Sequence, residues 1–148
     1  MNRSLLYRVL TVVAATLLAI GALAGASAVG LSAFAAHGLA HMAAKGDHAV
    51  ALFEQATDFQ IKHALALIAA VLLAEWVGVG RARCALGAAA VLLAAGAVLF
   101  PTALYSSALG GPVWWAPWGG TMAIVGWIAL AVGVVLAARD THQSSGTS

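Results

Sequence analysis

Fifty-five consecutive residues, from Cys84 to Ala138, carry no formal charge, and two further charge-free gaps run from Val9 to Ala44 and from His63 to Ala74. This pattern is incompatible with a soluble globular fold. Charged side chains make up 8% of the chain, against about 25% in an average soluble domain. A bilayer span needs about 20 mainly apolar residues, so the gaps hold four spans, and the longest gap holds two of them. The predicted fold is therefore all-α, a polytopic membrane protein with four transmembrane helices in a compact bundle. In a chain of 148 residues this leaves no room for a separate soluble domain.

The spans are predicted over residues 9–36, 59–79, 84–109 and 118–138, a single domain covering 1–138. Arg81 and Arg83 end the second span, and Gly110-Gly111-Pro112 with Pro117 break the long uncharged segment. Arg139-Asp140 close the fourth, and the polar tail 139–148 is expected to be disordered because it has nothing to bury. At the N-terminus, a basic start, an apolar run and Ala26-Ser27-Ala28 fit a signal-peptidase site. The apolar run continues past that site through Val29, Leu31 and Phe34, which favours a retained first helix.

Orientation follows from the Lys and Arg content of short loops. With four spans, Arg3, Arg8, Arg81, Arg83 and Arg139 fall on one side, whereas Lys45 and Lys62 fall on the other with Asp47, Glu54 and Asp58. Both termini are therefore expected to be cytoplasmic. Trp114, Trp115 and Trp118 then mark the outer interface, and Tyr7 and Trp76 the inner one. In the first outer loop Val50, Phe53, Ala56 and Phe59 recur at three-residue spacing, and Glu54, Asp58 and Lys62 at four. That spacing predicts a short amphipathic helix along the outer surface, leading into span two, with Asp47 as its N-cap.

Helix association in lipid depends on close backbone approach, so small residues four apart carry information. Gly21 and Gly25 form a GxxxG in helix one, with Ala22, Ala26 and Gly30 on a second small face, and helix four offers Ala129, Gly133 and Ala137. Pro101 interrupts the hydrogen bonding of helix three and predicts a kink, with the hydroxyls of Thr102, Ser106 and Ser107 placed to satisfy freed carbonyls.

Few groups could do chemistry. Glu75 is the one acidic residue that falls inside a span, expected to reach the inner interface or to pair with an arginine, with a proton or cation role as the alternative. His37 ends helix one and His63 opens helix two, with Gln60 one turn before His63 and His41 four residues after His37. Interhelical hydrogen bonding is the expected role of this cluster. Metal or haem ligation by His37 and His63, or proton transfer, is the alternative. The lone Cys84 has no partner for an internal disulfide, no serine sits in a GxSxG setting, no Gly-rich loop carries a phosphate-binding lysine, and no basic run could track a nucleic acid. The expectation is no enzyme, no cofactor unless a metal or haem binds, and no nucleic acid.

Four segments taken together go further. They are Ala33-Phe34-Ala35-Ala36-His37-Gly38-Leu39, Phe59-Gln60 with His63 to Leu67, Leu99-Phe100 with Leu104-Tyr105, and Pro117-Trp118-Gly119-Gly120 with Gly126-Trp127. Their order and spacing resemble the small membrane-protein family known as domain-of-unknown-function family 423, over nearly the whole chain up to about Ala138. The family pattern has G-A-F-G-A-H where this chain has Ser32 to His37, and F-S-G-S-L-Y where it has Phe100 to Tyr105. The resemblance marks His37, Gln60, His63 and Tyr105 as a candidate polar or ligand site, and Gly119, Gly120, Gly126 and Trp127 as packing residues beside Gly21, Gly25 and Gly133. It implies a four-helix protein of a bacterial inner (plasma) membrane and carries no activity over. The leading expectation is a non-enzymatic subunit acting through helix packing, as a homo-oligomer or with a membrane-complex partner. A small conduit or carrier for protons, ions or a small solute is the second reading.

Overall fold

The computed structural model describes residues 3–39 and 46–145. They form four helices, α1 (Arg3–His37), α2 (Gly46–Trp76), α3 (Arg81–Ala108) and α4 (Ala116–Ser145), with no strand among the described residues. Each contains a stretch long and apolar enough to cross a bilayer. The 35 residues of α1 extend about 52 Å at a rise of 1.5 Å per residue, well beyond a hydrocarbon core of about 30 Å, so the helices tilt or project into the headgroup layers.

Successive helices run antiparallel. α2 and α3 form the central pair, α1 packs on α2, and α4 packs on α3. Burial follows this order: half of the α2 span and 44% of the α3 span are buried, against 11% for α1 and 17% for α4. The core is made where Leu67, Ala70 and Val71 of α2 meet Ala89, Ala90 and Leu93 of α3, with Leu17 of α1 and Leu130 of α4 closing its flanks.

The α3–α4 seam has a regular register. A Cβ added at Gly119 would run into the Phe100 backbone nitrogen, one at Gly126 would lie 2.9 Å from Leu93 Cγ, and one at Gly133 2.7 Å from Leu86 Cγ. The glycines step by seven up α4 while their partners step by seven down α3, and Gly96 against Ala123 fills the same register from the other side. A seven-residue repeat is the signature of left-handed supercoiled packing, and glycine here lets the backbones meet. In α1 only one glycine of the GxxxG works this way. A Cβ at Gly21 would lie 2.8 Å from Ile68 Cγ1 of α2, whereas one at Gly25 would meet nothing within 4 Å. Gly120 has only ordinary contact with Phe100.

Two segments depart from the sequence expectation. The amphipathic stretch is helical but is not a separate surface helix, because α2 is continuous from Gly46 to Trp76. No glycine or proline interrupts residues 47–76. The apolar stripe through Phe53 and Ala56 packs against α1 and α3, while Glu54, Asp58 and Lys62 stay exposed and Lys62 pairs with Asp58 at 2.6 Å. Asp47 stands in the first turn, where a carboxylate suits the helix dipole. The tail expected to be disordered continues α4 as far as Ser145, since nothing before Gly146 breaks a helix; 146–148 lie outside the described residues.

The break at Gly110-Gly111 is built as the sequence suggests. Gly110 adopts φ 86°, its amide donates to the Ser107 carbonyl, and that of Gly111 donates to the Ser106 carbonyl. This is the Schellman arrangement, which needs a left-handed residue at the position Gly110 fills. α3 runs through Pro101 as one helix, and the Thr102 hydroxyl donates to the Val98 and Leu99 carbonyls.

Gly119→Ala is expected to destabilise the protein by about 1–3 kcal/mol through overpacking against the α3 backbone. Gly25→Ala, with open space around it, should be neutral or stabilising by up to about 1 kcal/mol through helix propensity. Unfolding in mixed micelles at graded denaturant measures both.

Candidate functional site

Gln60 and His63 lie one turn apart on the buried face of α2, and each reaches a different neighbour. Gln60 Nε2 donates to the Ala24 carbonyl at 2.9 Å and to Ser27 Oγ at 2.8 Å, both on α1. Its Oε1 accepts from the Tyr105 hydroxyl of α3 at 2.8 Å. Ser27 Oγ donates in turn to the Ala24 carbonyl at 3.0 Å. A carbonyl can only accept, so every hydrogen in this set has one direction. Gln60 thereby joins three helices.

His63 Nδ1 lies 2.7 Å from the Phe59 carbonyl, and Trp127 Nε1 of α4 lies 3.2 Å from His63 Nε2. A carbonyl is only an acceptor and an indole N–H only a donor. The imidazole is therefore the neutral tautomer with its proton on Nδ1, and Nε2 accepts from Trp127. The ring is clamped as well: it stacks on Phe59 at 3.8 Å between centroids, and Phe59 leans on Phe100 at 4.4 Å. Trp127 is 47% exposed, so its outer side faces the lipid while its N–H points inward. No buried side-chain nitrogen or oxygen among the described residues lacks a hydrogen-bond partner.

The histidines of α1 and α2 do not meet. The Phe34 and Phe53 rings are in contact at 5.9 Å and fix the level of the α1–α2 hairpin. His63 lies ten residues further along α2, about 15 Å at the helical rise, and His37 lies in the opposite direction, exposed at the last turn of α1. One ion cannot bridge them. A metal or haem iron at His63 Nε2 would have to displace the Trp127 indole, and no group of three or more His, Cys, Asp or Glu able to hold a metal occurs among the described residues. His41 lies outside the described residues.

Glu75 sits near the end of α2, where its Oε1 accepts from Arg83 Nη2 across the α2–α3 turn at 2.6 Å. The turn itself uses Gly78 at φ 69°. The sequence paired Gln60 with His63 correctly by helical spacing, but it joined them to His37. It did not find Ser27, whose side chain looked like part of a cleavage site, nor the bond from Trp127 to His63. The latter spans 64 residues of chain, and no local pattern reports such a contact.

The family of proteins described as "Protein of unknown function (DUF423)" matches residues 31–126. The chain belongs to this family. Among relatives of this DUF423 protein, a UPF0382 membrane protein of Haemophilus influenzae is 36% identical over 116 residues, covering 76% of this chain and 87% of the relative. A UPF0382 membrane protein of Staphylococcus aureus is 34% identical, covering 76% and 89%, and one of Staphylococcus saprophyticus is 35% identical, covering 77% and 92%. No solved structure matches. Its relatives are thus bacterial membrane proteins, in keeping with its own four apolar helices. The family match spans Gln60, His63 and Tyr105 and stops one residue short of Trp127.

Tyr105→Phe removes one interhelical hydrogen bond and is expected to cost about 0.6 kcal/mol, the average for such bonds in a membrane. Gln60→Leu breaks both links and should cost about 1–2 kcal/mol. Because the two variants share one bond, the double variant should cost less than the sum of the singles; strict additivity would show that the Tyr105 bond is not formed. Nitrogen-15 NMR of His63 should find the proton on Nδ1, and a proton on Nε2 at neutral pH would contradict the bond from Trp127.

Proposed function

We propose that this DUF423 protein is a non-enzymatic subunit of the bacterial inner membrane that acts through helix packing, as a homo-oligomer or as an accessory to a larger complex, with both termini cytoplasmic. The observation that carries this reading is the fate of its polar groups. Gln60, His63, Tyr105 and Trp127, the side chains best suited to chemistry, are consumed in bonds that tie α2 to α1, α3 and α4. Each chain of donors ends on a main-chain carbonyl, Ala24 or Phe59, and a peptide carbonyl is a poor station for a travelling proton. This weighs against the conduit reading.

The outer helices have the complementary property. α1 exposes Val12, Leu23 and Val29, and α4 exposes Ile124, Ile128 and Val135. Gly25 and Gly30 lie on α1 with open space where a side chain would stand. Such faces suit lipid, and the glycines admit the backbone of another helix.

Gentle detergent extraction followed by mass measurement of the intact particle tests the proposal. An oligomer or a stoichiometric partner is expected, and Gly30→Leu should weaken that association while leaving the helical content and thermal stability of the subunit unchanged. A monomer alone under every extraction condition, in the wild type, would overturn the reading.

A further inference from the structure

At the end of the molecule opposite the His63 network, α1, α2 and α3 enclose a groove of about 670 Å³. Its walls are apolar: Leu6, Leu10 and Leu17 of α1, Val71 of α2, and Gly87 and Ala90 of α3. Its deep end rests on the core, since Val71 and Ala90 belong to the central cluster and Leu17 packs against it. Tyr7, Glu75 and Arg83 stand at its open end.

The dimensions fit one kind of occupant. From Leu6 to Leu17 the groove follows twelve residues of α1, a rise of about 16 Å, which matches the depth of one leaflet's hydrocarbon, half of about 30 Å. The volume lies in the range of small-molecule sites, about 300–1,000 Å³. The mouth is positively biased. Arg8 follows Tyr7 and Arg81 stands two residues before Arg83, and the only carboxylate among the described residues lining the groove, Glu75, is paired with Arg83. α3 begins at this mouth, and no side chain caps its N-terminus, so amide donors and the positive end of a helix dipole face the same level. An apolar slot one leaflet deep, with Arg8 and Arg81 next in sequence to residues at its mouth, complements an acyl chain beneath an anionic headgroup.

We propose that this groove is a specific site for an anionic phospholipid, with one acyl chain seated between α1, α2 and α3 and the headgroup phosphate held near Arg81, Arg83 and Tyr7. This site is independent of the packing role argued above. Its position is set by the interior corner of three helices, and a lipid there completes the wall between α1 and α3, which otherwise touch only weakly.

The test uses the full-length protein in nanodiscs of phosphatidylcholine containing phosphatidylglycerol with a photoreactive acyl chain. Adducts are expected to concentrate on the peptides covering residues 6–17 and 71–90. Native mass spectrometry should retain phosphatidylglycerol in preference to phosphatidylcholine. Gly87→Leu is the decisive variant, because a side chain at Gly87 meets no atom within 4 Å and grows into the groove; retention should fall about tenfold while helicity is kept. The Arg8→Gln, Arg81→Gln double variant should lose the preference for the anionic lipid. Adducts spread evenly over the outer faces of α1 and α4 would mean annular lipid only and would overturn the proposal. So would unchanged retention in a folded Gly87→Leu variant, or disulfide crosslinking through Cys84 that places a second copy in the groove. If Gly87→Leu does not fold, the adduct map on the wild type decides.

Discussion

A helix in hydrocarbon has no water to satisfy a polar side chain, so each such group must find its partner inside the protein. α2 carries two of them a single turn apart, and the arrangement of the other helices follows from where their partners stand. Gln60 needs donors and acceptors on two sides and takes them from α1 and α3. His63 satisfies one nitrogen on its own helix and needs one donor from outside, which α4 supplies through Trp127. This last bond matters because α4 packs on α3 and otherwise barely meets α2. Polar groups that would be costly alone therefore fix the register of a bundle whose apolar faces, slippery against lipid, could not fix it themselves.

Close approach does the rest. The hydroxyl and amide groups act near one end, while along the α3–α4 seam the glycines at 119, 126 and 133 let the two backbones meet over four turns. The two devices depend on each other. Trp127 follows Gly126 directly, so the same contact that seats Gly126 against Leu93 sets the level at which the indole reaches His63.

The four helices were legible because the charge gaps exceed the length of a span, and the Gly110-Gly111 break because a helix can end there only with a left-handed residue. Span ends were harder to read. Glu54 and Lys62 read as the polar face of a separate surface helix, yet one face of a continuous helix can be charged while the other packs, as Phe53 shows. In the site, spacing alone gave Gln60 beside His63. The join to His37 failed because a hairpin drawn from sequence has no vertical register, and the Phe34–Phe53 contact sets it about three turns from the level that join required. Gly119, Gly126 and Gly133 stand out in the sequence as packing residues, but their seven-residue register does not, since a chain rich in alanine and glycine offers four-residue stripes as well and only the partner helix selects one pattern.

The same logic accounts for the groove. α1 is fastened to α2 at Ala24 and Ser27 by Gln60 and at Gly21 by close approach. Below Gly21 the hydroxyls of Thr16 and Thr11 donate to their own helix, at the Val12 and Tyr7 carbonyls. The residues that face α3 there are bulky, among them Leu17, Val13 and Leu10, so the backbones cannot approach as they do along the α3–α4 seam. Opposite them α3 presents Gly87, which fills no space. Large side chains on the α1 wall and the missing side chain of Gly87 on the α3 wall leave a gap bounded by α2. In a membrane such a gap is filled by whatever apolar chain the leaflet supplies, and the arginines at its mouth bias which headgroup comes with it.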